Sequence, residues 1–354
     1  MEQKIDNPFS RNLPNQISAI CDAIDSKPRI TQVIQCVNEE HLIEPCVMQL
    51  YDKVDRIVIV EGAVQNKVDA GQATADGHSI DDTVSIIKRI KADKDPDKKI
   101  TFVQIDRPWA DLEELKNTFF QYMQDGDWML ITDADEFIMP EVVDKLREAI
   151  TVEPWATEFV PAGFYHFWRD ASHIRKPSGD WGQQHQRFIK FHPGMHYQNH
   201  PVARDKDGIC TYFSQEYKNR RFVLKDFVVY HYSYCRNDEA DIQAKKDFYD
   251  KELGQDKHGD VGAYARGGQT DEYLDKTEDL NTVLLFSGDH PPIIAKHLAW
   301  QGQGVVLSDA HLQDKTFEDY KSAEPYNLEN VPVCWIYDLE GKQGYVNFFN
   351  TVDV

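Results

Sequence analysis

The sequence predicts an α/β fold with a doubly wound, mainly parallel sheet, and three observations support this prediction. Between residues 30 and 133, short apolar runs alternate with segments whose apolar residues recur every three or four positions. Polar or acidic residues end each run, as expected at the carboxyl ends of buried strands. After residue 150 the sequence becomes rich in aromatic, histidine and β-forming residues. The alternation is typical of parallel sheets covered by helices, and the later change indicates a β-rich second half with a C-terminal extension.

The first two strands and the helix between them open the predicted sheet. A strand is expected at residues 30–37, and in the helix that follows, apolar residues from Leu42 to Leu50 share one face. The second strand, at residues 56–62, is almost entirely apolar before Glu61, which is typical of a strand buried on both faces.

The rest of the first half continues the same alternation. Residues 63–78 are polar and contain glycine, which predicts a flexible loop. Ser79 and Asp82 resemble a capping box, so a helix is expected from there to about Lys91. The remaining elements are a strand at residues 99–105, a helix at 111–124 and a strand at 127–133.

Residues 1–29, before the first strand, are predicted to form an N-terminal extension. The second half is predicted to be mainly β-rich after a helix near residues 140–150. The predicted β-rich segments lie at about 157–168, 185–192, 208–213 and 226–234, followed by a helix at 238–253, a loop at 254–280 and a mixed region to residue 354.

Composition narrows the possible partners and location. The chain has 354 residues with 39 Lys and Arg against 60 Asp and Glu, giving a formal net charge of -21, which repels nucleic acid. The start lacks the basic end and apolar run of a signal peptide, and no stretch approaches the roughly 18 apolar residues of a transmembrane segment. We therefore expect a cytoplasmic protein without a transmembrane segment. Six widely spaced cysteines predict buried free thiols.

Polar residues are predicted to gather along one edge of the sheet. Asn38, Glu61, Asp106 and Asp133 each fall at the carboxyl end of a predicted strand. Ligands of doubly wound sheets bind beyond this edge. These four residues are therefore candidates for a binding site.

The segment DWMLITDADEFIMP contains the densest acidic cluster at this edge. An apolar strand delivers Asp133, Asp135 and Glu136 to its exposed end. Like charges held close together disfavour one another, so the cluster predicts a compensating Mg²⁺ or Mn²⁺ ion with carboxylate, phosphate and water ligands. The alternative is an acidic turn that caps the helix starting near Pro140.

Three segments carry a resemblance to a known family. VIQCVNEEHLIEPCV, KVDRIVIVEG and LITDADEF, taken in this order, resemble the GT-A glycosyltransferases, especially family-2-like enzymes and the bisecting N-acetylglucosaminyltransferases. The resemblance implies transfer of a sugar from a nucleoside diphosphate sugar to a glycan or other hydroxyl acceptor, with Mn²⁺ or Mg²⁺. It also implies a GT-A-like catalytic domain at residues 30–237, with a nucleotide half at 30–140 and an acceptor half at 141–237, before a C-terminal region at 238–354.

The resemblance also implies roles for individual residues. Asn38 and Glu39 would lie in the first loop near the nucleotide, and Glu61 would contact its base or ribose. Asp133 would face ribose and metal, and Asp135 would bind the metal. Many family-2-like enzymes have Asp, Gly and Ser after the second strand, whereas this chain has Glu61, Gly62 and Ala63, so the preferred base stays open.

Two arginines and a histidine complete the predicted donor site. Enzymes of this kind often supply a later histidine to the metal, and His231 ends the apolar run VVYHYSYCR. Its alternative role is that of a core histidine. Arg236 is near enough in sequence to meet phosphate, and Arg187 is assigned to phosphate or to structure.

Inverting transfer requires a base that takes the proton of the acceptor hydroxyl. Asp180 is the first candidate because the adjacent Trp181 could stack on a sugar, and Glu216 is the second. Both could equally be surface acids. The aromatic segment at residues 163–170 fits either a sugar platform or a packed core.

Two other classes of function stay open. A metal-dependent nucleotidyltransferase or phosphohydrolase could use the same acids, and a non-catalytic protein could bind the nucleotide sugar without turnover. No G-x-x-x-x-G-K-[ST] or G-x-G-x-x-G motif occurs, so P-loop phosphotransfer and dinucleotide oxidoreduction lose their main support.

Overall fold

The fold was examined in a computed structural model of the chain. The structure describes residues 28–168, 171, 173–175, 186–198, 203–207, 220–235, 283–286, 288–294, 335–337 and 344–345. The predicted segments at 208–213, 238–253 and 254–280 lie outside these residues, as does all but the end of the N-terminal extension.

The first half forms the predicted parallel sheet. Its strands are β1 (Ile30–Cys36), β2 (Arg56–Glu61), β3 (Ile100–Val103) and β4 (Trp128–Asp133). β1 pairs in parallel with β2 on one side and β4 on the other, and β2 pairs in parallel with β3. The helices are α1 (Ile43–Gln49), α2 (Gln65–Asp69), α3 (Thr83–Asp93) and α4 (Leu112–Phe120). The prediction of a mixed α/β fold with a mostly parallel sheet is confirmed.

Helices cover both faces of this sheet because consecutive side chains of a strand point to opposite faces and are apolar on both. On β2, Ile57 and Ile59 belong to a buried cluster with residues of α1 and α3. Val58 and Val60 point the other way, into a second cluster with Leu115 of α4. Burial on both faces explains why the strand reads as a continuous apolar run.

The second half extends the sheet with strands of both directions. After α5 (Pro140–Val152), the long strands β6 (Glu158–Trp168) and β11 (Arg221–Tyr234) pair in parallel. The shorter strands are β5 (Glu136–Phe137), β7 (His173–Arg175), β8 (Phe188–Lys190), β9 (His196–Tyr197), β10 (Ala203–Arg204), β12 (Val283–Leu285), β13 (Trp335–Tyr337) and β14 (Gly344–Tyr345). β8 is antiparallel to both β4 and β6 and so joins the two halves of the sheet.

Two local predictions were wrong. The polar loop after β2 contains the short helix α2 and a parallel bridge between Val64 and Trp109. Ser79 does not cap α3, because its hydroxyl donates to Glu61 at 2.7 Å and the helix begins at Thr83. The side chain of Ser79 therefore makes a tertiary hydrogen bond instead of capping a helix.

The order of the strands reverses at β1, which defines a switch point at one edge of the sheet. From β1 the chain builds outward to β2 and β3, and then returns to place β4 on the opposite side of β1. The carboxyl ends of β1 and β4 therefore lie at the switch point where doubly wound sheets bind ligands. Among the described residues, no helix is both long enough and apolar enough to span a membrane.

Candidate active site

The turn after β4 brings the acidic cluster against β11. β4 ends at Asp133, and two residues later the chain enters β5, which pairs antiparallel with β11 and sets Glu136 opposite His231. The backbone N–H of Tyr232 donates to the carbonyl oxygen of Asp135 at 2.9 Å. Backbone pairing thus fixes the position of β11, which carries His231, relative to these acids.

Asp135 and His231 lie side by side at this turn. The Nε2 atom of His231 is 3.6 Å from Oδ1 of Asp135, with 19% and 7% of the two side chains exposed. The sequence prediction placed both residues at one metal site, and the structure brings them together. Within the described ranges, no group of three or more His, Cys, Asp or Glu side chains is arranged to hold a metal ion. Any cation here would need ligands from a substrate, from water or from residues beyond those ranges.

A second histidine stands behind His231. The Nδ1 atoms of His166 and His231 are 2.8 Å apart, and the two rings meet edge to face with centroids 4.9 Å apart. His166 lies on β6 and His231 on β11, at paired positions of these parallel strands. His166 had no predicted role beyond its aromatic segment, because sequence spacing does not show which residues of different strands will pair.

Asp133 keeps an exposed carboxylate at the end of β4. About a third of its side chain, 35%, is exposed. Oδ1 accepts a hydrogen bond from Nε2 of Gln35 at 2.7 Å. Because Gln35 is the β1 residue paired with Asp133, the neighbouring strand helps to fix the orientation of this carboxylate.

Contrary to the prediction of an exposed acidic cluster, Asp135 is buried, and so is Glu136. The residue is 2% exposed, and Nε of Arg187 donates to its Oε2 at 2.8 Å while Nη2 contacts Oε1. Pairing of β5 with β11 turns Glu136 back into the sheet, where an arginine supplies the counter-charge. Burial raises the pKa of Glu136, and Asp133 and Asp135 act in the same direction against the opposing effect of Arg187.

Arg187 therefore has a structural role in this arrangement. Its guanidinium lies over the ring of Phe164, 5.4 Å from the centroid, while its nearest distance to the Asp133 carboxylate is 3.9 Å. A bidentate pair of this kind fixes the turn on which the acids stand.

A buried lysine close enough to interact electrostatically with Asp133 was not predicted from the sequence. Lys116 of α4 is 6% exposed, and its Nζ lies 5.5 Å from the ring centroid of Tyr197. Burial lowers its pKa to about 8, although Asp133 acts to raise it. Spacing carried a signal, because Lys116 falls on the apolar face of α4 between Leu112 and Phe119.

Along the same edge of the sheet, Asn38 anchors the loop after α2 to the end of β1. Its backbone has a φ of 56°, a conformation that Asn tolerates better than most residues. Nδ2 donates to the carbonyl of Gln72 at 2.6 Å, and Oδ1 accepts from the N–H of Ile80 at 2.9 Å. The neighbouring Glu39 lies between β1 and α1, and its backbone N–H donates to Oγ1 of Thr83 at 2.7 Å. Both residues stand at the predicted edge.

Glu61 is fully buried and its carboxylate is occupied by protein groups. Oε1 accepts from the N–H and the hydroxyl of Ser79, each at 2.7 Å. Oε2 accepts from Nε2 of Gln104 at 2.9 Å and lies 3.0 Å from Nδ1 of His78. A carboxylate has about four acceptor sites, so a direct contact between Glu61 and a base or ribose is disfavoured. The other ring nitrogen of His78, Nε2, lies 3.8 Å from the fully exposed Asp106.

Three predicted site residues lie outside the described residues. These are Asp180, Glu216 and Arg236. The identity of the base and of a phosphate-binding arginine therefore stays a prediction.

Comparisons with known proteins give coarse likenesses. No protein-family model and no curated protein matches the sequence. Among solved structures, residues 1–349 of S. aureus TarS align with a TM-score of 0.40 and 12% identity over 72% of this chain and 78% of that one. A mannose-6-phosphate isomerase from Helicobacter pylori aligns with a TM-score of 0.27 and 13% identity over 47% of this chain and 61% of that one. At such scores neither likeness assigns a function, so the functional argument depends on the site itself.

Proposed function

We propose that this chain is a glycosyltransferase that moves a sugar from a nucleoside diphosphate sugar to a hydroxyl acceptor, with Mn²⁺ or Mg²⁺, by direct displacement with inversion. The observation that carries the proposal is the pair of Asp135 and His231, 3.6 Å apart at the switch point of a doubly wound sheet. The exposed carboxylate of Asp133 stands beside them.

The donor atoms of this pair fit a divalent cation. Metal–oxygen bonds to Mg²⁺ are about 2.1 Å long and zinc-type bonds to imidazole nitrogen are about as long. A separation of 3.6 Å is therefore short enough for one ion to contact both Oδ1 of Asp135 and Nε2 of His231. Ions at nucleotide sites commonly take only one or two protein ligands and fill the rest with phosphate and water oxygens. A two-residue site is thus suited to an ion that arrives with a diphosphate.

The surrounding residues position this pair. Gln35 orients Asp133, which we assign to the ribose and the metal. The ion pair between Arg187 and Glu136 fixes the turn that carries Asp135. When bound, the cation would offset the negative charge that develops on the departing diphosphate.

The nucleotide half binds the base in this proposal. Asn38 and Glu39 lie at the end of β1, and Glu61 acts through His78, which it holds with a contact of 3.0 Å. Asp106 is exposed next to that histidine and is assigned to the rim of the same region.

The acceptor hydroxyl needs a base on the face of the sugar opposite the diphosphate. We assign this role to Asp180, with Glu216 as the second candidate, and we assign Arg236 to the phosphates. Asp180→Asn should lower turnover far more than donor affinity, measured by steady-state kinetics and by calorimetry with the donor. Equal turnover would transfer the role to Glu216.

Product analysis separates this function from its rivals. The protein would be incubated with Mn²⁺, a panel of nucleotide sugars and hydroxyl acceptors, and the released nucleotide identified. A nucleoside diphosphate together with a glycosylated acceptor supports sugar transfer. A monophosphate or pyrophosphate instead supports a nucleotidyltransferase or phosphohydrolase, and nucleotide affinity without turnover supports a binding protein.

A further inference from the structure

The buried carboxylate of Glu61 determines how the imidazole ring of His78 is presented. The N–H and the hydroxyl of Ser79 donate to Oε1 of Glu61, and Nε2 of Gln104 donates to Oε2 at 2.9 Å. The same amide approaches Nδ1 of His78 only to 3.4 Å, whereas this Nδ1 lies 3.0 Å from Oε2 of Glu61. An ionised carboxylate only accepts hydrogen bonds, so a bare nitrogen at 3.0 Å would set two lone pairs against each other. Nδ1 of His78 therefore carries a proton and donates a hydrogen bond to Glu61.

This contact leaves Nε2 as the open position of the ring. In a neutral imidazole with a proton on Nδ1, Nε2 is a bare acceptor. Among the described residues Nε2 has no hydrogen-bond partner, and the carboxylate of Asp106 lies 3.8 Å away, beyond hydrogen-bond distance. The His78 side chain is 20% exposed, so a ligand can reach the ring. The protein therefore presents a hydrogen-bond acceptor near the carboxyl end of β2.

The backbone around His78 is fixed by hydrogen bonds and close packing. The N–H of His78 donates to Oγ1 of Thr74, and the carbonyl of His78 accepts from the N–H of Thr74, each at 2.9 Å. The preceding Gly77 has a φ of 85°, and its carbonyl accepts from the N–H of Ala63 at 2.7 Å. A Cβ atom at Gly77 would lie 2.7 Å from Cα of Pro108, so glycine permits this close approach. The imidazole is therefore held in place before a ligand binds, as preorganised recognition requires.

An exposed apolar side chain accompanies the acceptor. Ile80, two residues after His78, is 60% exposed, and its backbone N–H donates to Oδ1 of Asn38 at 2.9 Å. Because Asn38 follows β1, this bond ties the segment of His78 to the switch point of the sheet. A nucleobase has hydrogen-bonding groups on its edge and flat faces that pack against other groups. A fixed acceptor close in sequence to exposed apolar surface is suited to such a ring.

We infer that His78 determines the base specificity of the donor by accepting a ring N–H of the nucleobase at Nε2. The inference rests on the proposed function, because it names the class of the donor nucleotide. Uracil carries such an N–H at N3 and guanine at N1, whereas the same positions of cytosine and adenine are bare nitrogens. A bare nitrogen opposite Nε2 leaves two acceptors without a donor, and sites built on a polar contact reject such analogues strongly. The donor is therefore a nucleotide sugar with an oxo base such as uracil or guanine.

Calorimetry of the full chain with Mn²⁺ tests this preference without turnover. The probes are the diphosphates of uridine, guanosine, cytidine and adenosine, and those of N3-methyluridine and N1-methylguanosine, in which a methyl group replaces the N–H. Measurement at about pH 8.5 keeps imidazole neutral. The tighter of uridine and guanosine diphosphate should bind at least about tenfold more strongly than cytidine and adenosine diphosphates, and methylation should remove this advantage. Equal affinities, or a preference for cytidine or adenosine diphosphate, would overturn the inference.

Substitution of His78 tests whether this residue reads the base. His78→Phe keeps a ring but removes the acceptor, so the preferred nucleotide should lose about 10–100-fold in affinity and bind no better than its methylated form. His192→Phe is the matched control, because Nδ1 of His192 also faces a carboxylate, Oδ1 of Asp125 at 3.1 Å, but Asp125 precedes the amino end of β4. This control should keep the full preference.

A second variant guards against loss of the fold. Thermal unfolding of each variant shows whether it is folded, and His78→Asn replaces His78→Phe if the aromatic substitution is unstable. Its side chain is too short to hold the contact with Glu61 and reach a base together, so the preference should again be lost. A folded variant of either kind that still distinguishes the two classes of base would show that another group reads the ring.

Failure of this inference can be told apart from failure of the proposed function. If the wild type binds none of the nucleoside diphosphates with Mn²⁺, or if Asp135→Asn binds them as the wild type does, the proposed donor site is wrong. If binding depends on Asp135 but shows no base preference that depends on His78, only the role of His78 is wrong.

Discussion

Acidic side chains at the ends of β2 and β4 lie along the same edge of the sheet but have different surroundings. At the end of β2, Glu61 is fully buried and its oxygens meet Ser79, Gln104 and His78. At the end of β4, Asp133 is partly exposed, and Oδ1 of Asp135 lies 3.6 Å from Nε2 of His231.

The difference distinguishes Glu61, whose oxygens meet protein groups, from the acids after β4, to which we assign a ligand. Buried acceptors that already have donors gain nothing from a ligand and lose stability if removed. In the proposed function, the Asp135 carboxylate and the neighbouring imidazole nitrogen of His231 supply ligand atoms of the kinds that divalent metal ions bind. The same position in the sheet therefore predicts two different responses to substitution.

The largest effect is expected at the end of β4. Asp135→Asn removes a charged ligand of the proposed cation, and should lower kcat/KM with a nucleotide sugar by about 100–1000-fold, the size of effect that loss of a key electrostatic group produces. Steady-state kinetics measures this effect. Asp226→Asn on β11 is a matched control, because its side chain is exposed on the same strand as His231. Equal activity of the two variants would remove Asp135 from the site.

The ion pair behind the turn should give the largest loss of stability. Arg187→Met leaves Glu136 buried without its cation, which costs about 3–5 kcal/mol in comparable buried pairs. Urea denaturation measures the free energy of unfolding. Adding Glu136→Gln should recover part of the loss, since it removes the unpaired charge. A single variant as stable as the wild type would mean that Arg187 does not support the turn.

Substitution at the end of β2 should affect folding before chemistry. Glu61→Ala leaves the donors of Ser79 and Gln104 without their acceptor, at a cost of about 1–3 kcal/mol in the free energy of unfolding. Glu148→Ala, on the exposed face of α5, is the control and should change stability little. The comparison between the two strand ends fails if Glu61→Ala is fully stable yet cannot bind a nucleotide.

The smallest effect is expected at the rim. Asp106 is fully exposed and 3.8 Å from Nε2 of His78, and solvent strongly screens such a contact. Asp106→Asn should therefore alter nucleotide affinity by no more than about fivefold, measured by calorimetry. A loss approaching that of Asp135→Asn would place the nucleotide directly on Asp106.

Much of the first half was predictable because its strands are buried on both faces. The apolar runs in β1, β2 and β4 leave few alternatives to a parallel sheet, and the acids after them mark its carboxyl edge. The sequence also predicted that His231 and Asp135 lie at one site, and the structure places them 3.6 Å apart. Their binding of a metal stays a prediction.

The errors arose where partners come from distant parts of the chain. Nothing near Glu136 in sequence shows that Arg187 neutralises it, and nothing near Ser79 shows that Glu61 displaces it from a helix cap. The contact between His166 and His231 spans two strands. Such pairs depend on the register of the sheet, which the pattern of one segment does not specify.

The central claim is tested most directly by diffraction from a crystal soaked with Mn²⁺ and nucleoside diphosphates, with data collected at the manganese absorption edge. The account predicts an anomalous peak in contact with both Oδ1 of Asp135 and Nε2 of His231, and diphosphate oxygens on its open side. A nucleotide bound elsewhere, or a manganese peak away from these two atoms, would contradict it.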